Sequence, residues 1–204
     1  MNDKFFDLKK EKQDRMINAA LKLFALYGYK RASTDEMVME AGISKGLLFH
    51  YFGSKLHLYA FIYEYSARYV SMEYERSIGF LEDDFFVIQR QLEYAKWQIM
   101  KKYPYMLSFL NNAFLEEDEE AVAQVEQIMD MTSDTLQQIY AKADLTRFKD
   151  GIDPSKVLKM VIFTMDGLLK EQVLLKRVDP RSLYEESVEY LDMFRKCYYR
   201  EEML

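Results

Sequence analysis

Apolar residues recur along most of this chain at intervals of three and four, the repeat of helices that each bury one face. Ile17, Ala20, Leu21 and Phe24 open the series in a helix expected from about Lys12 to Tyr27, with Gly28 placed to stop it. A shorter second helix lies in RASTDEMVMEAGIS. Ser33 and Glu36 have capping-box spacing at its start, Met37, Val38 and Ala41 face inward, and Gly42 ends it. Ile43 fills the turn, Ser44 caps a third helix reaching Phe52, and Gly53 stops that one. Ser54 caps a fourth, through roughly Ser77, with Tyr59, Ile62, Ser66, Tyr69 and Val70 on one side. After a break at SIGFLEDD, Phe85, Ile88, Leu92, Ala95 and Ile99 line a fifth helix.

Pro104 ends that run and opens a sixth helix carrying Leu107, Leu110 and Phe114. The acidic run EEDEE at 116–120 suits the positive end of a seventh, which repeats through Val122, Val125, Met129, Thr132, Leu136 and Tyr140. Asp153–Pro154 and Asp179–Pro180 each pair a cap with a proline at the first helical position. They open an eighth helix over 154–176 and a ninth over 180–200. No strand alternation, repeat or low-complexity linker interrupts the pattern. The expectation is an all-α chain of about nine helices.

Composition agrees with that pattern. Three prolines and seven glycines in 204 residues leave few helix breakers. Half the residues are apolar and 30% charged, the balance of a folded domain rather than a disordered chain. The longest apolar run, MVIFTMDGLL, is broken by Asp166, so no membrane span is expected. MNDKFFDLKKEK lacks the apolar core and cleavage site of a signal peptide, and the single cysteine, Cys197, suits a reducing cytosol. A cytoplasmic location follows as an expectation. The net charge of −6 hides an asymmetry, because residues 1–57 carry +3 and residues 58–204 carry −9. Such a head can orient the chain toward a polyanion.

The stretch ISKGLLFHYFGSK carries the most specific chemistry. Two short helices joined by a turn of three or four residues have the arithmetic of a helix-turn-helix. A helix entering the DNA major groove end-on brings its first backbone N–H groups to phosphate oxygens, and a glycine at position 46 removes the side chain that would hold it off. Leu48 and Phe52, four apart, anchor the helix. Leu47 and His50 point outward, with Phe49 and Tyr51 partly so. Leu47 suits a thymine methyl, His50 a base edge or phosphate, and the Tyr51 hydroxyl a phosphate. Thr34 and Lys55 stand ready to grip the backbone on either side.

STDEMVMEAGISKGLLFHYFGSKLHLY resembles the DNA-binding signature of the tetracycline-repressor (TetR) family of bacterial transcription regulators. The resemblance spans residues 12–60 through Tyr27–Gly28, Thr34, Ala41–Gly42, Ser44–Lys45–Gly46, Tyr51–Phe52 and Lys55. It departs at Phe49, where the family usually has a tyrosine, so one phosphate hydrogen bond is lost. The family likeness implies an N-terminal helix-turn-helix domain, residues 1–57, and a helical ligand-binding and dimerisation domain, residues 58–204. It further implies a homodimer, a palindromic double-stranded DNA operator, and release by a small effector, that is, a ligand-responsive repressor and not an enzyme. DNA-contact candidates are Thr34, Ser44, Lys45, Gly46, Leu47, His50, Tyr51 and Lys55. Effector-pocket candidates are Tyr94, Trp97, Phe109, Phe114 and Met165, whose character suggests an apolar or flat aromatic ligand. Dimer-interface candidates on the eighth and ninth helices are Val161, Met165, Gly167, Leu168, Leu191 and Phe194.

Other features read more plainly. His50 and His57 have no carboxylate or cysteine at ligand spacing, so no metal or cofactor is expected. Cys197 reads as an inert, partly buried thiol. No Ser/His/Asp set, paired-acid motif or phosphate-cradling glycine loop suggests catalysis. The rival reading is a helical protein-interaction module, in which the apolar side chains of the third helix meet another protein.

Overall fold

The computed structural model describes residues 3–175 and 178–204. Among them lie ten α-helices and short 3-10 turns: α1 Lys10–Arg31, α2 Thr34–Ala41, α3 Lys45–Phe52, α4 Lys55–Ser77, α5 Phe85–Lys102, α6 Met106–Ala113, α7 Glu119–Val125, α8 Met131–Tyr140, α9 Pro154–Leu174 and α10 Pro180–Tyr198. The sole β pairing among them is a bridge between Phe148 and Tyr199. The nine expected helices are present, the seventh in two pieces, α7 and α8, separated by a 3-10 turn at Glu126–Ile128. The eighth expected helix is α9, which closes at Leu174, and its expected end at 176 lies outside the described residues. Among the described residues no helix is long and apolar enough to cross a membrane.

The caps read from sequence form as hydrogen bonds. Ser33 Oγ accepts from Glu36 N at 3.4 Å, Ser44 Oγ from Leu47 N at 3.2 Å, and Ser54 Oγ from His57 N at 3.1 Å. Asp153 and Asp179 cap α9 and α10, each followed by its proline. Each bond gives a partner to an N–H that the helix itself leaves free. Gly42 ends α2 at φ 64°, ψ 45°, a left-handed conformation that lets the next helix start within three residues. Gly28 also has positive φ, 69°, but the helix resumes after it, so α1 is kinked there rather than ended.

The chain divides into two compact units, Met1–Val70 with Lys102–Thr132, and Ser71–Lys101 with Ser133–Leu204. These bounds differ from the division after residue 57 read from sequence. The reason lies in α6, which belongs with the head. Phe109 places its ring 6.0 Å from Phe24 of α1 and 5.5 Å from Tyr59 of α4, and all three are fully buried. Polar bonds reinforce that join: Asn112 donates to the Ala25 carbonyl at 2.8 Å, and Tyr29 N donates to Glu116 at 2.7 Å.

The second unit has its own core, built from Phe85, Phe86, Ile88 and Leu92 of α5, Val157, Val161 and Met165 of α9, and Leu183, Leu191 and Phe194 of α10. One buried carboxylate organises its polar side. Asp84 accepts from Phe86 N at 2.9 Å and Val87 N at 3.1 Å, capping α5, and from the Tyr199 hydroxyl at 3.2 Å. It pairs with Arg147 and Arg195, each at 2.9 Å. Burial pushes its pKa up, but the Arg195 hydrogen bond, the Val87 N–H and the two guanidinium charges outweigh that and hold it below 3.8. A second buried set joins α5 to α8, where Glu93 accepts from Gln89 at 2.7 Å and Lys96 at 2.8 Å while the Tyr140 hydroxyl donates to Gln89.

Candidate nucleic-acid interface

α3 is eight residues long and carries more apolar side chains than its buried face uses. Leu48 and Phe52 are buried at 3% and 2% exposure and fix the helix to the head. Ser44, Lys45, Gly46 and His50 are exposed, while Leu47, Phe49 and Tyr51 are half-buried. A Cβ added at Gly46 would meet no atom within 4 Å, and the glycine does not have positive φ. Nothing inside the protein therefore asks for glycine here. What would favour glycine at this position lies outside the chain.

The remaining candidates are arranged around that tip. Thr34 opens α2 half-buried, and Lys45 forms an exposed ion pair with Asp35 at 2.8 Å. His50 packs edge-on to Tyr51 with ring centroids 5.1 Å apart. Among the described residues the Tyr51 hydroxyl has no hydrogen-bond partner. Lys55 is more engaged than the sequence suggested: its Nζ donates to the Lys30 carbonyl at 3.1 Å and lies 4.7 Å over the Tyr29 ring. Burial lowers its pKa against the raising influence of Asp118 and Glu116. To reach a phosphate it must exchange the Lys30 bond.

One contributor lay outside the sequence reading. Phe5, before α1, is fully buried and packs on Phe52, Phe61 and Tyr51 at ring distances of 5.1, 5.4 and 5.9 Å. The signal available was the doublet Phe5–Phe6 in an otherwise charged stretch, where an apolar pair outside any helical repeat marks an anchor.

The candidate pocket residues are divided between the two units. Phe109 is fully buried in the first unit among Phe24, Tyr59 and Tyr63, and Phe114 in the same unit is half exposed. In the second unit Tyr94 meets Trp97 edge-on at 5.3 Å, Trp97 stacks on Tyr184 at 5.4 Å, and Met165 is buried. The second unit also holds a groove of about 330 Å³ lined by Phe86, Val87, Arg90, Leu191, Asp192 and Arg195. Among the described residues no three His, Cys, Asp or Glu side chains are gathered as a metal set.

The interface candidates are placed mostly inward. Val161, Met165, Leu168, Leu191 and Phe194 are buried within the protomer, and Gly167 alone of the six is exposed. The apolar residues left outward are Met160, Phe163 and Leu174, which with Gly167 form a stripe at i, i+3, i+7 and i+14 of α9, and Met193 on α10. Cys197 is exposed rather than partly buried, one turn beyond Met193.

Residues 16–61 match the model of a family described as bacterial regulatory proteins, tetR family. An uncharacterized HTH-type transcriptional regulator of Bacillus subtilis (strain 168), YuxN, is 50% identical over 46 residues, which are 22% of this chain and 16% of that protein. The chain thus spans about a sixth of the length of that curated relative. Solved structures are similar over nearly the whole chain. A TetR family transcriptional regulator from Chloroflexus aurantiacus J-10-FL has a TM-score of 0.58 at 18% identity, covering 98% of this chain and 99% of that one. The SmeT–triclosan complex has a TM-score of 0.62 at 18% identity, covering 96% and 95%. SmeT is the repressor of the Stenotrophomonas maltophilia multidrug efflux pump SmeDEF. At such identities the likeness speaks for the fold.

Proposed function

We propose that this chain, whose residues 16–61 match the tetR family of bacterial regulatory proteins, is a ligand-responsive transcriptional repressor. It binds a two-fold-symmetric operator as a homodimer. The observation that carries this reading is the tip of α3. Its glycine is exposed and unconstrained by the fold, its N-terminus points outward beside Lys45, and its far side is anchored by Leu48 and Phe52. That is a rod shaped to press its backbone against phosphates while Leu47 and His50 meet base edges.

Dimerisation is supported by the outer stripe Met160, Phe163, Gly167 and Leu174 with Met193, apolar side chains that the protomer leaves in water. A two-fold operator read by such a dimer has half-sites about 34–36 Å apart, one helical turn of DNA, or a multiple of that. Ligand response is supported by the way α6 and its flanks grip α1. Asn112 holds Ala25, Glu116 holds Tyr29, Asn18 donates to the Lys102 carbonyl at 3.1 Å, and the Tyr103 hydroxyl donates to Asp14 at 2.6 Å. Any displacement of α6 is thereby passed to the head. SmeT, similar in fold, has been solved with triclosan, which favours a small-molecule effector for this chain too.

The test is operator selection from random DNA followed by anisotropy titration at rising salt. Phosphate-dominated binding loses about 10³-fold or more in affinity between 50 and 200 mM salt. Apolar docking to a protein partner would hold its strength, and a salt-insensitive complex with no enriched DNA would sink the proposal. Two substitutions divide the work of α3. Leu47→Ala should relax the preference at one operator position, by no more than the about 1–3 kcal/mol that one base pair is worth, and leave the others intact. Tyr51→Phe should weaken specific and random DNA alike, by about tenfold. An unaltered base preference across the operator would remove Leu47 from readout.

A further inference from the structure

We infer that the segment Asp3–Leu8, which lies outside the residues matched to the family, is a built part of the DNA-reading head, and that Phe5 is a positioning residue for Tyr51. The inference rests on the DNA-binding reading above. Three observations carry it.

First, the segment is held in place. It makes a 3-10 turn at Asp3–Phe5, followed by bonds from Asp7 N to the Lys4 carbonyl and from Leu8 N to the Phe5 carbonyl. The buried Gln13 side chain then donates to two of its carbonyls, Phe6 at 3.0 Å and Leu8 at 2.8 Å. A side-chain amide buried to serve two loop carbonyls fixes where the segment runs.

Second, Phe5 reaches beyond the core. Packing on Phe52 and Phe61 would suffice to anchor the segment. Its ring also lies 5.9 Å from that of Tyr51 at 71°, the edge-to-face geometry aromatic pairs favour.

Third, Tyr51 needs such a neighbour. It is half-buried, and among the described residues its hydroxyl has no partner. Without a bond at the tip, its pose depends on what touches the ring, and its aromatic neighbours are Phe5, and His50 at 5.1 Å and 72°. His50 is itself exposed, so the buried Phe5 is the fixed wall. A tyrosine already in its bound rotamer loses less freedom when its hydroxyl meets a phosphate.

A merely structural Phe5 would weaken DNA binding in every background equally. A positioning Phe5 acts through the Tyr51 hydroxyl and so has less to act on once that hydroxyl is gone. The experiment is a double-mutant cycle on the selected operator, with Phe5→Leu, Tyr51→Phe and the pair, all checked by helix content and thermal midpoint. Leucine keeps most of the buried volume and removes the ring edge, so the head stays folded. Phe5→Leu should weaken operator binding about three- to tenfold beside Tyr51 and less than about twofold beside the Tyr51→Phe change. Equal losses in both backgrounds, or no loss in either, overturn the inference while leaving the DNA-binding reading intact. An unmutated protein that binds no DNA overturns both.

Discussion

Gly46→Leu should leave the protein at least as stable as before and cost it nearly all its operator affinity. Inside the chain the substitution has room, since no atom lies within 4 Å of the new Cβ and the backbone there does not need positive φ. Replacing a helical glycine by a good helix former adds up to about 0.5–1 kcal/mol, with the first turn at the low end. On the DNA side the same methylenes stand between the first N–H groups of α3 and the phosphates. Losing two charge-assisted hydrogen bonds, about 1.5–3 kcal/mol each, weakens binding by about a hundredfold or more. Gly46→Ala should fall between. Urea midpoints and operator anisotropy, measured on the same preparations, separate the two effects. Affinity that survives Gly46→Leu would mean that the tip of α3 does not touch DNA.

Asp84→Asn should produce the largest loss of stability, with no direct effect on the α3 tip. The asparagine keeps the shape and the carbonyl that accepts from Phe86 and Val87, but leaves Arg147 and Arg195 beside a neutral group. Removing one partner of a buried ion pair costs about 3–5 kcal/mol. Both guanidinium groups keep about a quarter of their surface in water, which places this case at the lower end. The effect should be pH-dependent in a defined sense. The folded carboxyl titrates below its ordinary 3.8, so its contribution is complete above that value and is lost as pH falls through the lower, folded one. The gap in stability between wild type and variant should hold steady from neutral pH down to about 5 and close below about 4. A gap that stayed open in acid would show that charge is not what Asp84 supplies.

These two residues also show how differently sequence discloses its content. Gly46 was legible because a helix propensity rule is broken in a short segment flanked by serine, lysine and two glycine stops. A local violation with no local remedy marks a site. Asp84 looked like the tail of an acidic turn, SIGFLEDD, because its partners Arg147, Arg195 and Tyr199 lie more than sixty residues away. Phe5 was hidden for the same reason: its neighbours Tyr51, Phe52 and Phe61 come from α3 and α4. Lys55 shows the opposite case. Its charge and position suggested a free grip on DNA, and only the folded loop at Tyr29–Lys30 gives it an internal carbonyl and a ring.

By itself the sequence determined most of the helices, their serine and aspartate caps, the stops at Gly42 and Gly53, and the outward glycine of α3. Those depend on residues within a few positions of one another, where backbone geometry and side-chain periodicity act directly. Tertiary structure alone decided which apolar faces close the protomer's own core. α9 carries two apolar stripes, and periodicity cannot rank them: Val161, Met165 and Leu168 turn inward, while Met160, Phe163 and Leu174 remain in water. It also decided that Phe109 fills the head while Tyr94 and Trp97 stack in the other unit, since burial is set by what packs from a distance along the chain and not by the residue that is buried.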